Sequence, residues 1–370
     1  MILAITLGRY IGRQFSFAVL AVLTGLTLIV GLFDYIDLLR RAASQPRATF
    51  AIVTEIEAMR LPFVTIEILP FAVLLGGILA FWRLTRSSEL VVARATGLSA
   101  WEFLAAPIAV ACLLGIVTTT IVSPVSSALL TRADQLENRY LSTANDTVAL
   151  SGGQLWLRQS DRALVPNGVA ILHVQHVWLR HGKLVGDGAS VFRLDRQDTL
   201  LQRIEAPHIR LIGQNWVFPD ARLITPDHIP APPRTLTLST DLSLTRVEES
   251  FASPDTLSFW QLPGFIALLK HAGFSTIRHR LHYQSLLALP LLAGTMALLA
   301  AGFSMRPTRR GGTAQMIGSG IAAGFLLFVV SKIAEQFGET GVLPTFLAAW
   351  APAAVGLMLA ITLLLHLEDG

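Results

Sequence analysis

Long apolar runs without charges dominate the pattern along the chain. A helix crosses a bilayer core of about 30 Å with roughly 20 apolar residues, and six runs reach that length. They span residues 15–33, 61–82 (with one acid), 103–131, 283–305, 311–331 and 340–365. The pattern predicts three membrane helices, a large insert, and three further membrane helices. The third run would extend to about 43 Å at about 1.5 Å per residue, which exceeds the thickness of the lipid core.

The insert has the alternating pattern of half-buried β-strands. The clearest strands are predicted at 171–174, 191–194 and 209–212. Turn signals occur at Asn167-Gly168, His181-Gly182, Asp187-Gly188 and Gly213-Gln214-Asn215. Short strands at this spacing favour a sandwich or a jelly roll. The pattern becomes helical again from about residue 253, with Ser253-Pro254 as a start signal and Gly273 as a stop signal.

These patterns together predict a fold class and a domain order. We expect an α-helical membrane protein with six transmembrane helices, arranged three and three around an inserted all-β domain. The predicted domains are residues 1–132 with the first three helices, 133–258 with the β-domain, and 259–370 with a short helix and the last three membrane helices.

The composition agrees with a membrane protein. Hydrophobic residues make up 52% of the 370 positions and charged residues only 15%, whereas soluble proteins carry about 25% charged residues. This deficit excludes a disordered, collagen-like or simple cytosolic protein. The only cysteine, Cys112, cannot form an internal disulfide, so any domain outside the cytoplasm must fold without one.

The distribution of basic residues predicts an orientation. With a cytoplasmic N-terminus, eight arginines near the membrane lie inside, and five basic residues lie in the short outer loops. The inner set is Arg9, Arg13, Arg83, Arg86, Arg94, Arg306, Arg309 and Arg310, and the outer set is Arg40, Arg41, Arg47, Arg60 and Lys332. Both termini are therefore predicted to be cytoplasmic and the insert to lie outside. Only three of the 29 basic residues are lysines. The excess of arginine suits phosphate recognition, but a GC-rich genome would also produce it.

The loop between the second and third runs carries clear helix signals. Ser88 can cap a short helix at about 87–96, with Glu89 in its first turn and Arg94 near its end. Ser99 and Glu102 then form a capping box that starts the third membrane helix. The short helix is either a well-capped connector or a docking site for a cytoplasmic partner.

Several short motifs resemble a known family. They are Arg9-Tyr10-Ile11-Gly12, the segment from Phe33 to Asp37 with the following pair Arg40-Arg41, Ser88-Glu89-Leu90-Val91-Val92 with Gly97, Gly153-Gln154-Leu155-Trp156, and Glu335-Gln336-Phe337-Gly338. In this order, and over essentially the whole chain, they resemble the lipopolysaccharide export permeases of the LptF/LptG family. The N-terminal and tryptophan motifs fit the LptG branch better than the LptF branch.

This resemblance implies a function and a set of partners. The chain would be a permease subunit of the ABC transporter that extracts lipopolysaccharide from the inner membrane of a Gram-negative bacterium. It would pair with an LptF-like permease, a dimeric LptB-like ATPase and an LptC-like protein, and its β-domain would be a periplasmic jelly roll. ATP and Mg would be used by the ATPase, with no cofactor on this chain. The sequence contains no G-x-x-x-x-G-K-[ST] loop, so any ATP-driven work must come from a partner.

The resemblance also implies site residues. Glu89, and with it Arg86 and Arg94, would couple the permease to the ATPase. Arg40 and Arg41 would contact lipid phosphates, and Arg132 and Arg139 match arginines that follow the third span in relatives. Asp34 departs from the family pattern, since some relatives carry a lysine there. No catalytic residue and no metal ligand is implied.

Two further features of the membrane segments have competing interpretations. Gly318, Gly320 and Gly324 in the fifth run allow close helix packing, and the resemblance adds that this helix and the first line the lateral openings of the transporter. Glu67 is the single acid within the second run, and an intramembrane acid is a functional candidate by default. The basic cluster Arg278, His279, Arg280 and His282 favours interfacial anchoring of the fourth helix over contact with sugars.

Two other classes of function compete with the transporter subunit. A membrane enzyme acting on a polar lipid would need acids and histidines grouped as base and nucleophile, and only Asp34 and Asp37 are paired in the sequence. An ion-coupled secondary carrier would need acids at mid-membrane in matching halves, and Glu67 has no acidic counterpart in the last three runs.

Overall fold

Six helices of the described chain have the length and apolar composition of membrane spans. The structure is a computed structural model that describes residues 2–43, 45, 48–87, 89, 100–141, 147–151, 154–161, 164, 168–180, 183–195, 197, 199–225, 232–240, 253–271, 274–304 and 313–368. Three spans precede an inserted antiparallel sheet and three follow it. The predicted fold class is confirmed.

The helices extend beyond the apolar runs. They are α1 (Ile2–Ala42), α2 (Phe50–Arg86), α3 (Ala100–Val117), α4 (Ser123–Tyr140), α5 (Leu262–His271), α6 (Ile277–Ser304), α7 (Thr313–Glu339) and α8 (Thr345–Glu368). The third span joins α3 and α4 into 37 residues, from Trp101 to Glu137, or about 55 Å of helix. Its predicted excess over the lipid thickness is confirmed.

A π-helical turn joins α3 to α4. It covers Thr118–Val122, and the amide of Ser123 donates to the carbonyl of Thr118, five residues earlier. The Thr119 hydroxyl donates to the carbonyl of Leu286 in α6 over 2.9 Å. The Thr119 side chain thus fixes the π-turn against the neighbouring helix. Single π-turns within α-helices are frequently found at functional sites.

The first two spans form an antiparallel hairpin. Phe15 and Phe81 have ring centroids 5.8 Å apart, and further out the hydroxyls of Tyr35 and Thr54 lie 2.9 Å apart. Between them, a Cβ at Gly76 would meet the Val19 Cα at 2.5 Å. The two backbones can approach this closely only because Gly76 has no side chain.

The helix α6 lies at the centre of the membrane unit. It is the most buried of the six spans, whereas α1 and α7 are the least buried. A Cβ at Gly294 of α6 would meet the Cys112 Sγ at 2.8 Å, and Thr295 hydrogen-bonds the carbonyl of Ala353 in α8 over 3.3 Å. The described faces of α1 and α7 are therefore those available to lipid or to another protein.

The insert is one antiparallel sheet whose seven described strands pair in sequence order. They are β1 (Thr147–Ser151), β2 (Gln154–Asp161), β3 (Gly168–Arg180), β4 (Lys183–Leu194), β5 (Leu200–Ile212), β6 (Asn215–Ile224) and β7 (Arg234–Ser239). The Gln159 amide donates to the carbonyl of Ser239 over 2.8 Å, and its oxygen accepts from the Thr240 hydroxyl. Since β2 thereby contacts the end of β7, the sheet rolls over its own core.

The three strands that the alternation predicts lie within β3, β4 and β5. Their inward residues build a core with Trp216 and Phe218 of β6, and Leu269 of α5 and Phe274 pack against it. At the edge of this core Arg193 forms a two-pronged ion pair with Asp161, whose side chain is only 2% exposed. Paired in this way, the buried carboxylate avoids a large desolvation penalty.

One turn predicted in the insert is wrong. Asp187-Gly188 is not a turn between strands but lies inside β4. Gly188 has a positive φ of 67°, and the register of its neighbours sets it opposite Pro207, which has no amide to donate to the ladder. The Asp187-Gly188 signal therefore marks a local irregularity in β4, where the hydrogen bonding to β5 is interrupted at Pro207. The Asn167 and His181-Gly182 signals lie outside the described residues.

The helix predicted from Ser253-Pro254 begins later. Pro254–Thr256 forms only a 3-10 turn, and α5 starts at Leu262. Between them the Gln261 side chain accepts from the backbone and hydroxyl of Ser258, a local alternative to helical bonds. The helix ends at His271, and Gly273 lies outside the described residues.

Packing divides the chain into two units. One comprises Met1–Leu141, Asp255–Pro263 and Ile277–Gly370, and the other comprises Ser142–Pro254 and Gly264–Thr276. The first holds the membrane spans, and the second holds the sheet and most of α5. The domain limits drawn from the sequence at 132/133 and 258/259 remain predictions.

Candidate functional site

The last turn of α1 carries the predicted pair Arg40 and Arg41. Both guanidinium groups contact Asp37, over 2.8 Å from Arg40 and 3.0 Å from Arg41. Basic residues suit this position because they complement the negative end of the helix dipole. The Arg40 side chain is 81% exposed, so its pairing to Asp37 leaves most of the guanidinium open to an anionic group.

Arg41 turns toward α4 instead. Its Nη1 lies 2.7 Å from Glu137 Oε1. The other oxygen of Glu137 accepts from Nη2 of Arg60 in α2, and Arg60 is also 3.5 Å from Asp34 and 4.0 Å from Asp134. Three helices therefore meet in one network of charges, which we call the outer ion-pair cluster after the orientation that the sequence predicts.

Arg132 and Arg139 lie on the opposite side of α4. They are seven residues apart, which puts them on one face of a helix, and both side chains are exposed. Ala133, by contrast, is fully buried. The structure thus brings Arg41 into contact with α4, while Arg132 and Arg139 form a separate exposed basic stripe.

Apolar surface lies next to this basic outer end. On α1, Phe33 and Ile36 are 69% and 54% exposed, and Arg40 follows on the same helical face. A separate exposed apolar surface lies on α7, where Phe325 and Leu326 are also more than half exposed. On α1, an amphipathic molecule with apolar chains and an anionic head would find both types of surface.

The predicted coupling residues lie at the other membrane surface. Arg86 stacks over Trp82 with 5.5 Å between its guanidinium and the ring. Glu89 accepts a hydrogen bond of 2.9 Å from the Ser87 hydroxyl. Arg94 and the rest of the helix predicted at about 87–96 lie outside the described residues.

The three glycines of α7 have different environments. A Cβ at Gly324 would overlap the Leu74 side chain of α2, and one at Gly320 would meet Phe303 at 3.0 Å and Ile78 at 3.2 Å. A Cβ at Gly318 would meet nothing within 4 Å. Gly320 and Gly324 therefore bring α7 close to α2, whereas Gly318 faces open space.

Glu67 has a basic partner that the sequence reasoning missed. Lys332 of α7 lies 3.2 Å from Glu67 and 3.2 Å from Glu335. Glu67 is about 28 Å from Arg86 along α2, and Lys332 is about the same distance from the start of α7, at about 1.5 Å per residue. This matching depth was the signal available in the sequence, and a comparison of acids alone cannot reveal it because the partner is a base.

A histidine in the first turns of α6 is also paired. His282 Nδ1 lies 3.4 Å from Asp255, and His279 is buried. Within the described ranges no group of three or more His, Cys, Asp or Glu side chains could hold a metal ion. These residues link α6 to the segment before α5.

Six membrane-length helices, with an antiparallel sheet inserted between the third and the fourth in the chain, define a multi-pass membrane protein. Residues 9–366 match the family model of the lipopolysaccharide export system permease LptF/LptG. The chain belongs to this family.

Two relatives carry the same type of name. The chain is 26% identical to the lipopolysaccharide export system permease protein LptG of Haemophilus influenzae, over 98% of this chain and 99% of that protein. It is 23% identical to the LptG protein of Escherichia coli K12, over 97% of this chain and 98% of that protein. The similarity extends over both the membrane unit and the sheet.

Proposed function

We propose that the chain is one permease half of an ABC transporter that extracts lipopolysaccharide from the inner membrane and passes it to a periplasmic bridge. It would pair with an LptF-like permease and an LptC-like protein, and a dimeric LptB-like ATPase would use ATP and Mg. Both termini would be cytoplasmic and the sheet periplasmic. Family membership and the six spans support this assignment.

The observation that carries the proposal is the juxtaposition of exposed apolar helix faces with arginines at the outer helix ends. On α1, the exposed side chains of Phe33 and Ile36 lie on the same helical face as Arg40. Guanidinium groups bind phosphates through two parallel hydrogen bonds, and apolar faces suit acyl chains. Arg40 and Arg41 would contact the headgroup, with Arg132 and Arg139 as a second basic surface.

Force from ATP would enter at the cytoplasmic end of α2. Glu89 would be the main contact with the ATPase, and Arg86 and Arg94 would flank it. The hydrogen bond from Ser87 to Glu89 supports this role because it orients the carboxylate at the start of the loop.

A reconstituted complex with the ATPase and the second permease tests the coupling role. Glu89→Lys should lower lipopolysaccharide-stimulated ATP hydrolysis at least about tenfold, since reversing an interfacial charge costs several kcal/mol. Glu102→Gln removes one acid near the same membrane surface and should have little effect. Stimulated hydrolysis that survives Glu89→Lys would contradict the assignment. Transport or lipid modification by this chain without any ATPase would favour the carrier or the enzyme instead.

A further inference from the structure

Glu137 holds two guanidinium groups from two different helices. One carboxylate oxygen pairs with Arg41 of α1, 2.7 Å away, and the other pairs with Arg60 of α2. The Glu137 and Arg60 side chains are only 20% and 19% exposed. A carboxylate that bridges two arginines has the same arrangement as a bound phosphate oxygen pair.

Among the described residues, the outer ion-pair cluster has no surplus of positive charge. Three arginines face four carboxylates, which gives a formal charge of −1 when all are ionised. The members are Arg40, Arg41, Arg60, Asp34, Asp37, Asp134 and Glu137. A phosphate monoester would add about −1.5 to −2. Such a phosphate would gain no favourable electrostatic energy from this cluster while every carboxylate stays in place.

We propose that Glu137 is a positioning residue that occupies the phosphate site on Arg41, so that a lipid phosphate binds there only by displacing it. This inference rests on the proposed function, in which Arg41 contacts the headgroup. Displacement exchanges an ion pair within the protein for one with the lipid. Because Glu137 belongs to α4 and Arg41 to α1, the exchange also removes the polar link between these helices.

The packing beneath the cluster allows such a release. A small apolar group lies where the three helices meet, and its buried members are Leu38, Ala42, Val53, Ile56 and Ala133. Only Ala133 comes from α4, and Leu136 and Leu141 add partly buried contacts. Within this group α4 contributes few apolar side chains, and the Glu137 ion pairs add polar contacts at the same end of α4.

Binding to the full chain in lipid nanodiscs tests the displacement. Glu137→Gln should raise the affinity for lipopolysaccharide about threefold to tenfold, because it removes the competing charge. Lipopolysaccharide treated with phosphatase should show no gain. Glu55→Gln, an exposed acid on α2, is the matched control and should leave affinity unchanged. Glu137→Asp keeps the charge and should stay within about twofold of the native chain.

Two results separate this inference from the proposed function. If Arg41→Ala weakens binding but Glu137→Gln does not strengthen it, the displacement is wrong and the site stands. If neither substitution changes binding, both the site at Arg41 and the displacement are wrong. A gain from Glu137→Gln that disappears in the Arg41→Ala background would support both.

A distance measurement gives a second readout that does not depend on affinity. Spin labels at the exposed positions Ala43, directly after α1, and Gln135, in a Cys112→Ala background, report the separation of the end of α1 from α4. Lipopolysaccharide should increase this distance in the native chain, and Glu137→Gln should show the longer distance without ligand. Unchanged distances in both cases would overturn the proposal. Inorganic phosphate at the same concentration should give no shift, and an equal shift would overturn the assignment to a lipid headgroup.

Discussion

The arginines at the outer helix ends fall into two chemical groups at the residue scale. Arg41 and Arg60 are held by carboxylates on other helices, whereas Arg132 and Arg139 face outward. A count of basic residues treats all of them alike. The distinction matters because an anion must compete with a carboxylate in the first group and only with water in the second.

The sequence indicated the charged residues here but not their partners. Arg41 and Glu137 are 96 residues apart, and local periodicity carries no information about contacts at that separation. One signal was available: Asp134 and Glu137 share one face of α4, opposite the face of Arg132 and Arg139. That segregation of acids from bases indicates an acidic face turned toward another helix.

The Lys332 ion pairs support a prediction at the same scale. Lys332→Glu would bring three carboxylates together and should lower the thermal stability of the purified chain, whereas adding Glu67→Lys in the same chain should restore much of it. The side chains are 44% and 49% exposed, so we expect a coupling energy near the lower end of about 0.5–3 kcal/mol. Thermal unfolding of both single variants and the double variant measures it. Additive effects would show that the pair does not tie α7 to α2.

The spans and strands were predictable at the element scale because their signals are local. Apolar length alone identified the six spans, and alternation identified β3, β4 and β5. Helix ends were predicted less well, since α1 continues for 41 residues, well beyond its apolar run. Polar residues can extend a helix into water without breaking its hydrogen bonds, so hydrophobicity marks the lipid boundary and not the helix boundary.

The small residues of α7 give a prediction with an internal control. Gly324→Ala should destabilise the chain by about 1–3 kcal/mol, because its Cβ would overlap the side chain of Leu74, which is fully buried. Gly318→Ala, in the same helix, should be neutral or slightly stabilising because nothing lies within 4 Å. Thermal unfolding in detergent compares the two. Equal effects would contradict close packing of α7 on α2 at Gly324.

Family membership describes the whole molecule more fully than any single site does. The match covers residues 9–366, so the family similarity includes both the spans and the sheet. Orientation across the membrane is a separate question, because it depends on a modest excess of arginines on one side.

Labelling of single cysteines tests the orientation. In a Cys112→Ala background, Thr237→Cys on β7 should react with an impermeant maleimide in intact spheroplasts. Ser87→Cys at the end of α2 should react only after permeabilisation. Both positions are exposed, so differences in labelling report the side of the membrane and not burial. Labelling of Ser87→Cys in intact spheroplasts would contradict cytoplasmic termini.

The π-turn at Thr118–Val122 sets the rotational phase of everything that follows it in the third span. An α-helix advances about 100° per residue, and a π-turn holds one residue more than an α-turn. In an uninterrupted α-helix the side chains of α4 would be turned by about that angle. Glu137 would then leave Arg60, and the stripe of Arg132 and Arg139 would move to another side of the span. One additional residue, about 18–29 Å along the helix from these charges, thus decides which of them are kept inside and which are presented outside.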